Sequence, residues 1–542
     1  MIEQQGFLKR VNVKNKKTKK MIDELKKELL NEENNVSISE NGAVMYRTTG
    51  KNLLDLYWKS PSMRAIKPVD LKKGGLDGEL FGAYTENKEL FLKFLFYLRD
   101  IRGGMGERNS FRNYYLWLLS TDPKNAINLL SLVPKYGRWD DLVWILCNYC
   151  FEDADYIRFS IAKLIGEQLQ KDIENYPNNL SLLAKWLPSI NAGKESKSEA
   201  KKLIFWLNNA GFPMHEAEYR KVLSKLRKGL KIVETDIASK TYGNINYEAV
   251  PSVANTYYAK LFLKYDTERR KKFLEALSNG EKKINASAVF PHDIYKNISL
   301  YANQEVNATY EEMWKALPNF VNGDSKTLVV RDGSGSMTTT IPNSTTNALD
   351  VASALCVYFS EKLTGEFKDK FITFSSHPDL VDLSKCKSLY EKKRMLRTFN
   401  DCSNTDIEKT FMLVLNTAVN NNMKQEDLPD QLLIVSDMEF DYATNIGNYY
   451  HDHSGFNAKM KNLFYSIGKR FEEKGYKLPK LVFWNVNSRT NSIPLTQNEN
   501  GVILISGYSA SNCKMVLSGE LDPFKALCEQ LMDKRYEPIR YI

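Results

Sequence analysis

The hydrophobic pattern of this chain changes once, near residue 323, and that change constrains the fold more than any other feature. From about residue 50 to 320, apolar residues recur at helical spacing and strand-like alternation is scarce. Beyond residue 323, short apolar runs alternate with helical segments. Paired helices with short linkers indicate an α-solenoid, whereas alternating strands and helices indicate an open, mostly parallel sheet. We therefore predict an α plus α/β protein.

Three regions follow from this pattern. Residues 1–45 are polar and rich in lysine, and we predict a basic, mobile N-terminal arm. Residues 46–322 would form a helical-repeat (HEAT-like) solenoid. Residues 323–542 would form a doubly wound, Rossmann-like domain. We predict its strands at 328–330, 371–374, 432–435, 481–486 and 502–505, with helices at 346–361, 407–419, 457–473 and 522–532.

The positive charge of the chain lies in its first part. Residues 1–320 carry 50 lysines and arginines against 39 aspartates and glutamates, whereas residues 321–542 carry 26 against 27. Such an excess favours an acidic partner, and nucleic acid is the leading candidate. A basic surface that serves only solubility is the alternative.

The apolar runs and the cysteine content indicate the kind of compartment in which the protein works. The 542 residues contain no apolar run of the roughly 18–20 residues that span a bilayer, so we expect no membrane association. Seven cysteines, an odd number, argue against a disulfide framework and for a reducing compartment. We expect a cytoplasmic monomer.

One stretch after the first predicted strand of the sheet carries oxygen ligands. Asp332, Ser334 and Ser336 alternate along an extended loop, so their side chains point the same way. Thr405 precedes a later helix, and Asp437 follows the strand at 432–435. Because the carboxyl ends of strands in such a sheet converge, these five residues could bind Mg²⁺ or Mn²⁺, which prefer oxygen ligands. A strand-to-helix turn without metal is the alternative.

Basic residues in the helical part could contact the phosphates of a nucleic acid. Two glycine-containing corners carry Arg102 and Arg108, and then Arg138. Free amides at a helix start with arginines nearby could hold a phosphate, although a tight helix–helix corner explains the glycines equally. The helix predicted at 216–229 presents further basic side chains away from its apolar stripe, which could equally be a solvated face. These are Arg220, Lys221, Lys225, Arg227 and Lys228.

The loop motif resembles a known metal site. Asp-Gly-Ser-Gly-Ser at 332–336, with Thr405 and Asp437, is similar to the metal-ion-dependent adhesion site of von Willebrand factor A domains. The resemblance implies a von Willebrand factor A-like domain at 323–542. It also implies a metal that is completed by a partner's carboxylate and does not hydrolyse a substrate.

The helical part extends this resemblance over nearly the whole chain. It carries Arg-Gly-Gly-Met-Gly-Glu-Arg (102–108), Tyr-Gly-Arg-Trp-Asp-Asp-Leu (136–142), Leu-Leu-Ala-Lys-Trp-Leu-Pro-Ser (182–189) and Tyr-Arg-Lys-Val-Leu-Ser-Lys-Leu-Arg (219–227). Followed by an A-like domain, these stretches resemble the TROVE-module proteins, which include the Ro autoantigen and a related branch of unknown function. The resemblance implies a helical ring that binds small or misfolded noncoding RNA.

The alternative function is a protein-interaction adaptor. In that hypothesis the metal at Asp332 captures an acidic protein partner, and no RNA is involved. No Ser–His–Asp order, Walker loop or paired acids stand out, and the predicted metal lacks a positioned base. We therefore predict that the protein is not an enzyme.

Overall fold

A computed structural model describes most of the chain in two compact units. The helical unit comprises Ile66–Asp77, Leu92–Ala288 and Lys534–Ile542, and the sheet unit comprises Met1–Ala65, Gly78–Phe91 and Val289–Asp533. The structure describes residues 36–38, 44–46, 48–60, 63, 76–150, 154–301, 304–319, 326–341, 344–400, 407–437, 465–486, 502–506 and 522–542. Residues 1–35 of the predicted arm and the first part of the helix predicted at 457–473 lie outside these ranges.

The first described elements are short. Strand β1 (Val36–Ile38), within the predicted arm, pairs antiparallel with β2 (Val44–Tyr46). Three helices follow: α1 (Asn52–Lys59), α2 (Leu76–Glu86) and α3 (Lys88–Arg99). Helices α1 and α2 were not predicted.

The helical unit continues as helix after helix, joined mostly by short linkers. Pro123 occupies the first turn of α5, where its missing N–H costs nothing, and the Asp122 side chain accepts the Asn125 amide. The elements are α4 (Asn109–Thr121), α5 (Pro123–Asn128), α6 (Val133–Tyr136), α7 (Trp139–Asn148), α8 (Ala154–Asn175), α9 (Leu183–Trp186), α10 (Lys194–Asn209), α11 (Glu216–Gly229), α12 (Val233–Ala238), α13 (Ser252–Tyr265) and α14 (Thr267–Ser278).

Local hydrogen bonds explain why α9 is shorter than the hydrophobic pattern suggests. The spacing of apolar residues predicts a helix over 180–187, but α9 begins at Leu183. The Asp172 carboxylate accepts both the amide and the hydroxyl of Ser181, whose own oxygen accepts the Leu183 amide. These side-chain contacts replace helical backbone bonds at residues 180–182.

The sheet unit contains one six-stranded sheet, mixed but mostly parallel. Its strands are β3 (Thr327–Asp332), β4 (Lys370–Phe374), β5 (Leu380–Asp382), β6 (Gln431–Ser436), β7 (Lys480–Asn485) and β8 (Val502–Ser506). Their spatial order is β5-β4-β3-β6-β7-β8, and β5 alone among them runs antiparallel to its neighbour. The predicted α plus α/β class is confirmed, although the short strand β5 was not predicted.

The strand order creates a switch point at β3. The chain passes from β3 to β4 on one side and later places β6 on the other side of β3. In open sheets of this kind, the crevice for ligands lies outside the carboxyl ends of the two strands that flank the reversal. Asp332 ends β3 and Asp437 directly follows β6, so both lie at this edge.

Helices complete the sheet unit. They are α15 (Pro291–Tyr295), α16 (Gln304–Lys315), α17 (Ala348–Ser360), α18 (Leu389–Leu396), α19 (Ile407–Asn420) and α20 (Pro523–Leu531). The almost wholly buried α17 packs against β3. Residues Val289–Asp533 belong to the sheet unit. The boundary at residue 322, the repeat character of the helices and closure of a ring stay predictions.

No helix in the described ranges combines the length and the apolar character that crossing a bilayer requires.

Candidate metal centre and candidate nucleic-acid interface

Four of the five predicted metal ligands form one hydrogen-bonded cluster at the switch point. The Ser334 amide donates to Asp332 at 2.9 Å, and the Ser334 and Ser336 hydroxyl oxygens lie 3.0 Å apart. The Ser336 hydroxyl donates to the Asp437 carboxylate at 3.3 Å, across 101 residues of sequence. The fifth predicted ligand, Thr405, lies outside the described residues.

Both carboxylates of the cluster are buried. Asp332 is 1% exposed and Asp437 is 3% exposed. Burial raises the pKa of the Asp332 carboxyl, and hydrogen bonds from Ser436 and Ser334 oppose that rise. The Ser436 hydroxyl donates to Asp332 at 2.6 Å, a contact that was not predicted because Ser436 lies at the end of an apolar strand.

The chemistry of this cluster suits a hard divalent cation. Two carboxylates and two hydroxyls supply only oxygen, as Mg²⁺ and Mn²⁺ prefer, and waters commonly complete their octahedron. Within the described part of the chain, no group of three or more His, Cys, Asp or Glu is arranged to hold a metal ion. A cation here would therefore depend on the hydroxyls of Ser334 and Ser336 as well as on the two acids.

A large cleft in the helical unit concentrates cations and aromatic rings. Its volume is about 1550 Å³. Five basic side chains line it against the acids Glu234 and Asp236, and Glu234 is paired with Lys185 at 3.1 Å. The basic residues are Arg102, Arg138, Lys185, Lys228 and Lys231, and the aromatic ones are Trp139, Trp186, Tyr257 and Tyr258. We call this site the basic cleft.

An arginine lies over a tryptophan ring in the lining of the basic cleft. The Arg138 guanidinium lies over the Trp186 ring, 4.3 Å from its centroid. Burial, followed by the charges of Arg108 and Arg99, lowers the pKa of Arg138 to about 10, so it stays a cation at neutral pH. A guanidinium held over an indole ring is preorganised to contact a base or a phosphate.

The basic cleft brings together only some of the predicted RNA-binding residues. Arg102, Arg138 and Lys228 line it. Arg220 and Lys221 are exposed on α11 but do not line it. Arg108 lies 4.0 Å from the Asp140 carboxylate, and the Lys225 ammonium lies over the Tyr176 ring.

Arg227 is engaged within the helical unit. Its Nε donates to the Ala184 carbonyl, Nη1 to the Ser189 hydroxyl, and Nη2 to the Leu187 carbonyl, at 2.7–2.8 Å. The guanidinium therefore holds the carbonyls that end α9, a task for which its five-donor fork is suited.

The glycine-rich corner at 102–108 is a tight helix–helix turn. A Cβ on Gly104 would lie 1.9 Å from the Tyr97 carbonyl oxygen, so only glycine fits there. The amides of Met105 and Glu107 donate to the carbonyls of Tyr97 and Leu98. Of the two predicted explanations for these glycines, the structure favours the packing one, since these amides are bonded within the corner.

The aromatic residues that line the basic cleft were not predicted from the sequence. Tyr257 is 80% exposed, on the face of α13 opposite the buried Asn255, Ala259 and Phe262. An aromatic residue off the apolar stripe of an amphipathic helix was the available signal. For Trp139 the sequence favours a place in the core, but the side chain is half-buried and lines the cleft.

Comparisons with known proteins relate both parts of the chain to families described only as domains of unknown function. The family model DUF2828, "Domain of unknown function", matches residues 39–158 and 212–331. The family model DUF7788, also "Domain of unknown function", matches residues 326–536.

Two individual proteins are similar over most of the chain. "Uncharacterized protein L728" of Acanthamoeba polyphaga mimivirus is 29% identical over 549 residues, covering 93% of this chain and 89% of that protein. The solved Ro (RSR) protein of Deinococcus radiodurans aligns over 86% of this chain and 97% of that one, with 12% identity and a TM-score of 0.42. A score at that level carries no argument about function.

Proposed function

We propose that the helical unit binds RNA through the basic cleft. The observation that carries the proposal is the joint presence of cations and aromatic rings along one cleft. Grooves that bind single-stranded RNA pair positive charge, which follows the phosphates, with rings on which bases stack. After the Lys185–Glu234 pair is set aside, four cations face the cleft with Asp236 as the remaining acid.

The resemblance of the sequence motifs to those of TROVE-module proteins narrows the choice of RNA ligand. Small or misfolded noncoding RNAs combine duplex regions with single-stranded ends. A cleft of about 1550 Å³ has room for a few unpaired nucleotides but not for a duplex. We therefore propose that the cleft takes the single-stranded part of such an RNA, bound by Arg102, Arg138 and Lys228 and stacked on Tyr257.

Fluorescence anisotropy with a labelled hairpin RNA that carries a single-stranded tail tests this proposal. Tyr257→Ala should weaken binding about 5- to 150-fold, since one base–aromatic stack is worth about 1–3 kcal/mol. Tyr301→Ala is the matched control, because Tyr301 is 90% exposed and does not line the cleft. Equal affinities of the two variants, or no binding of the tailed hairpin at low salt, would contradict the proposal.

We propose, as a second function, that the oxygen cluster at the switch point binds a divalent cation and captures an acidic partner. The cluster of Asp332, Ser334, Ser336 and Asp437 supports it. These residues would hold the cation, which would supply a coordination position for a partner's carboxylate. In an adaptor of this kind, RNA plays no part.

A pulldown tests the second function separately. Asp332→Ala should abolish protein capture that depends on Mg²⁺, whereas Asp382→Ala, an exposed acid on β5, should leave it unchanged. Capture that persists in Asp332→Ala, or in the presence of a chelator, would speak against a docking metal.

A further inference from the structure

Arg331 is a buried arginine in the middle of the sheet. It lies on β3 between Thr373 of β4 and Val435 of β6, and it is 2% exposed. Because side chains alternate along a strand, Arg331 and Asp332 leave β3 on opposite faces. A buried cation is costly unless its donors are satisfied, so the partners of this guanidinium show what its placement achieves.

The Arg331 guanidinium joins three segments. Its Nε donates to the Ser353 hydroxyl on α17 at 2.9 Å. Its Nη2 donates to the Asn400 side-chain oxygen at 2.6 Å, and its Nη1 to the Phe399 carbonyl at 3.3 Å. The fork thereby ties the turn at residues 399–400 to the end of β3.

That turn lies directly against Gly333, in the loop at 332–336 that carries the candidate metal ligands. A Cβ on Gly333 would be 2.8 Å from the Phe399 carbonyl oxygen and 3.4 Å from the Asn400 Cα. Gly333 thus permits a close backbone approach that the Arg331 side chain maintains. The backbone of Gly333 connects Asp332 to Ser334, so its position sets the direction in which both side chains point.

We propose that Arg331 is a positioning residue for the cation site. It holds the 399–400 turn against Gly333 and so fixes the loop on which Asp332, Ser334 and Ser336 lie. This inference rests on the proposed cation site. Arg331 itself would not be a ligand of the cation.

The sign of an affinity change separates positioning from simple electrostatics. A guanidinium close to a dication repels it, so removal of the charge alone would tighten cation binding. Loss of the tether would weaken binding instead. Weaker binding after removal of the positive charge therefore indicates positioning.

Isothermal titration of the full chain with Mn²⁺ tests the proposal. We expect Arg331→Met and Asn400→Ala each to weaken Mn²⁺ binding at least fivefold. Asn400 is exposed, so its variant should fold even where Arg331→Met does not, and it leaves the charge unchanged. Asn421→Ala, which removes an exposed asparagine bonded to the Thr417 carbonyl, is the matched control and should bind as the wild type does.

The outcomes distinguish this inference from the cation site on which it rests. Unchanged Mn²⁺ affinity in Asn400→Ala, or tighter binding in Arg331→Met, overturns the role of Arg331 and leaves the cation site standing. Absence of Mn²⁺ binding to the wild-type chain overturns the cation site itself, and the role of Arg331 with it.

Discussion

Buried charges are satisfied in two different ways at the residue scale. Asp141 accepts from the Nε atoms of Arg99 and Arg112 at 2.8 Å, so one carboxylate joins two guanidinium groups. It also accepts the Arg138 amide at 3.0 Å at the start of α7. Arg331, by contrast, donates to neutral oxygens. The first arrangement stabilises the helical unit, and the second places a loop.

Asp141→Asn should destabilise the helical unit by about 3–5 kcal/mol, because it removes the counter-charge of the buried Arg99 guanidinium and leaves Arg112 paired with Asp140 alone. Urea unfolding measures the change. Asp155→Asn is the matched control, since Asp155 also lies in the first turn of a helix beside an arginine but its side chain is 84% exposed. Its effect should stay within about 1 kcal/mol. Similar losses in both variants would show that the buried network contributes little.

At the scale of elements, one glycine permits close packing against a long helix. Gly166 lies in the 22-residue helix α8, where glycine normally weakens a helix. A Cβ there would lie 2.2 Å from the Phe212 ring, whereas a Cβ on Gly78 in α2 would meet nothing within 4 Å. Glycine therefore has a packing role at position 166 and none at position 78.

Alanine substitutions at these two glycines should have opposite effects. Gly166→Ala should destabilise by about 1–3 kcal/mol, because the Phe212 ring must move. Gly78→Ala should stabilise by about 0.5–1 kcal/mol, because alanine reduces the conformational freedom of the unfolded chain. Chemical denaturation of both variants provides the comparison. A stabilising Gly166→Ala would mean that the contact with Phe212 has no energetic weight.

At the scale of the whole molecule, the uneven charge and the two candidate sites coincide with different units. The basic excess of residues 1–320 accompanies the basic cleft, whereas residues 321–542, with nearly balanced charge, carry the oxygen cluster. An anionic polymer and a divalent cation thus have separate candidate sites in one chain.

RNA binding should weaken steeply as salt rises. With four cleft cations contacting phosphates, the logarithm of the association constant should fall with the logarithm of salt concentration with a slope of about −3, because each neutralised phosphate releases about 0.7 of a counterion from a single strand. Anisotropy titrations at several salt concentrations give the slope. Lys228→Gln should reduce the magnitude of the slope by about 0.7, and a slope near zero would exclude phosphate contacts as the source of affinity.

Local pattern alone determined most elements of this protein and the run of oxygen-bearing residues at 332–336. The predicted strands at 328–330, 371–374 and 432–435 lie within β3, β4 and β6, since the spacing of apolar residues reports periodicity directly. Strand β5 and helix α12 could not be predicted from the hydrophobic pattern, because three and six residues are too few to show a period.

Tertiary structure alone decided which distant residues meet. Asp437 joins the loop at 332–336 because β6 pairs with β3, and strand order is a property of the whole sheet. The residues that line the basic cleft lie between positions 101 and 258 of the sequence. A row of basic side chains on one helix therefore lines a cleft only where other helices pack beside it. For the same reason, the charge pattern could not distinguish Lys228 from its neighbour Arg227. Lys228 lines the cleft, whereas the Arg227 guanidinium donates to the carbonyls of Ala184 and Leu187.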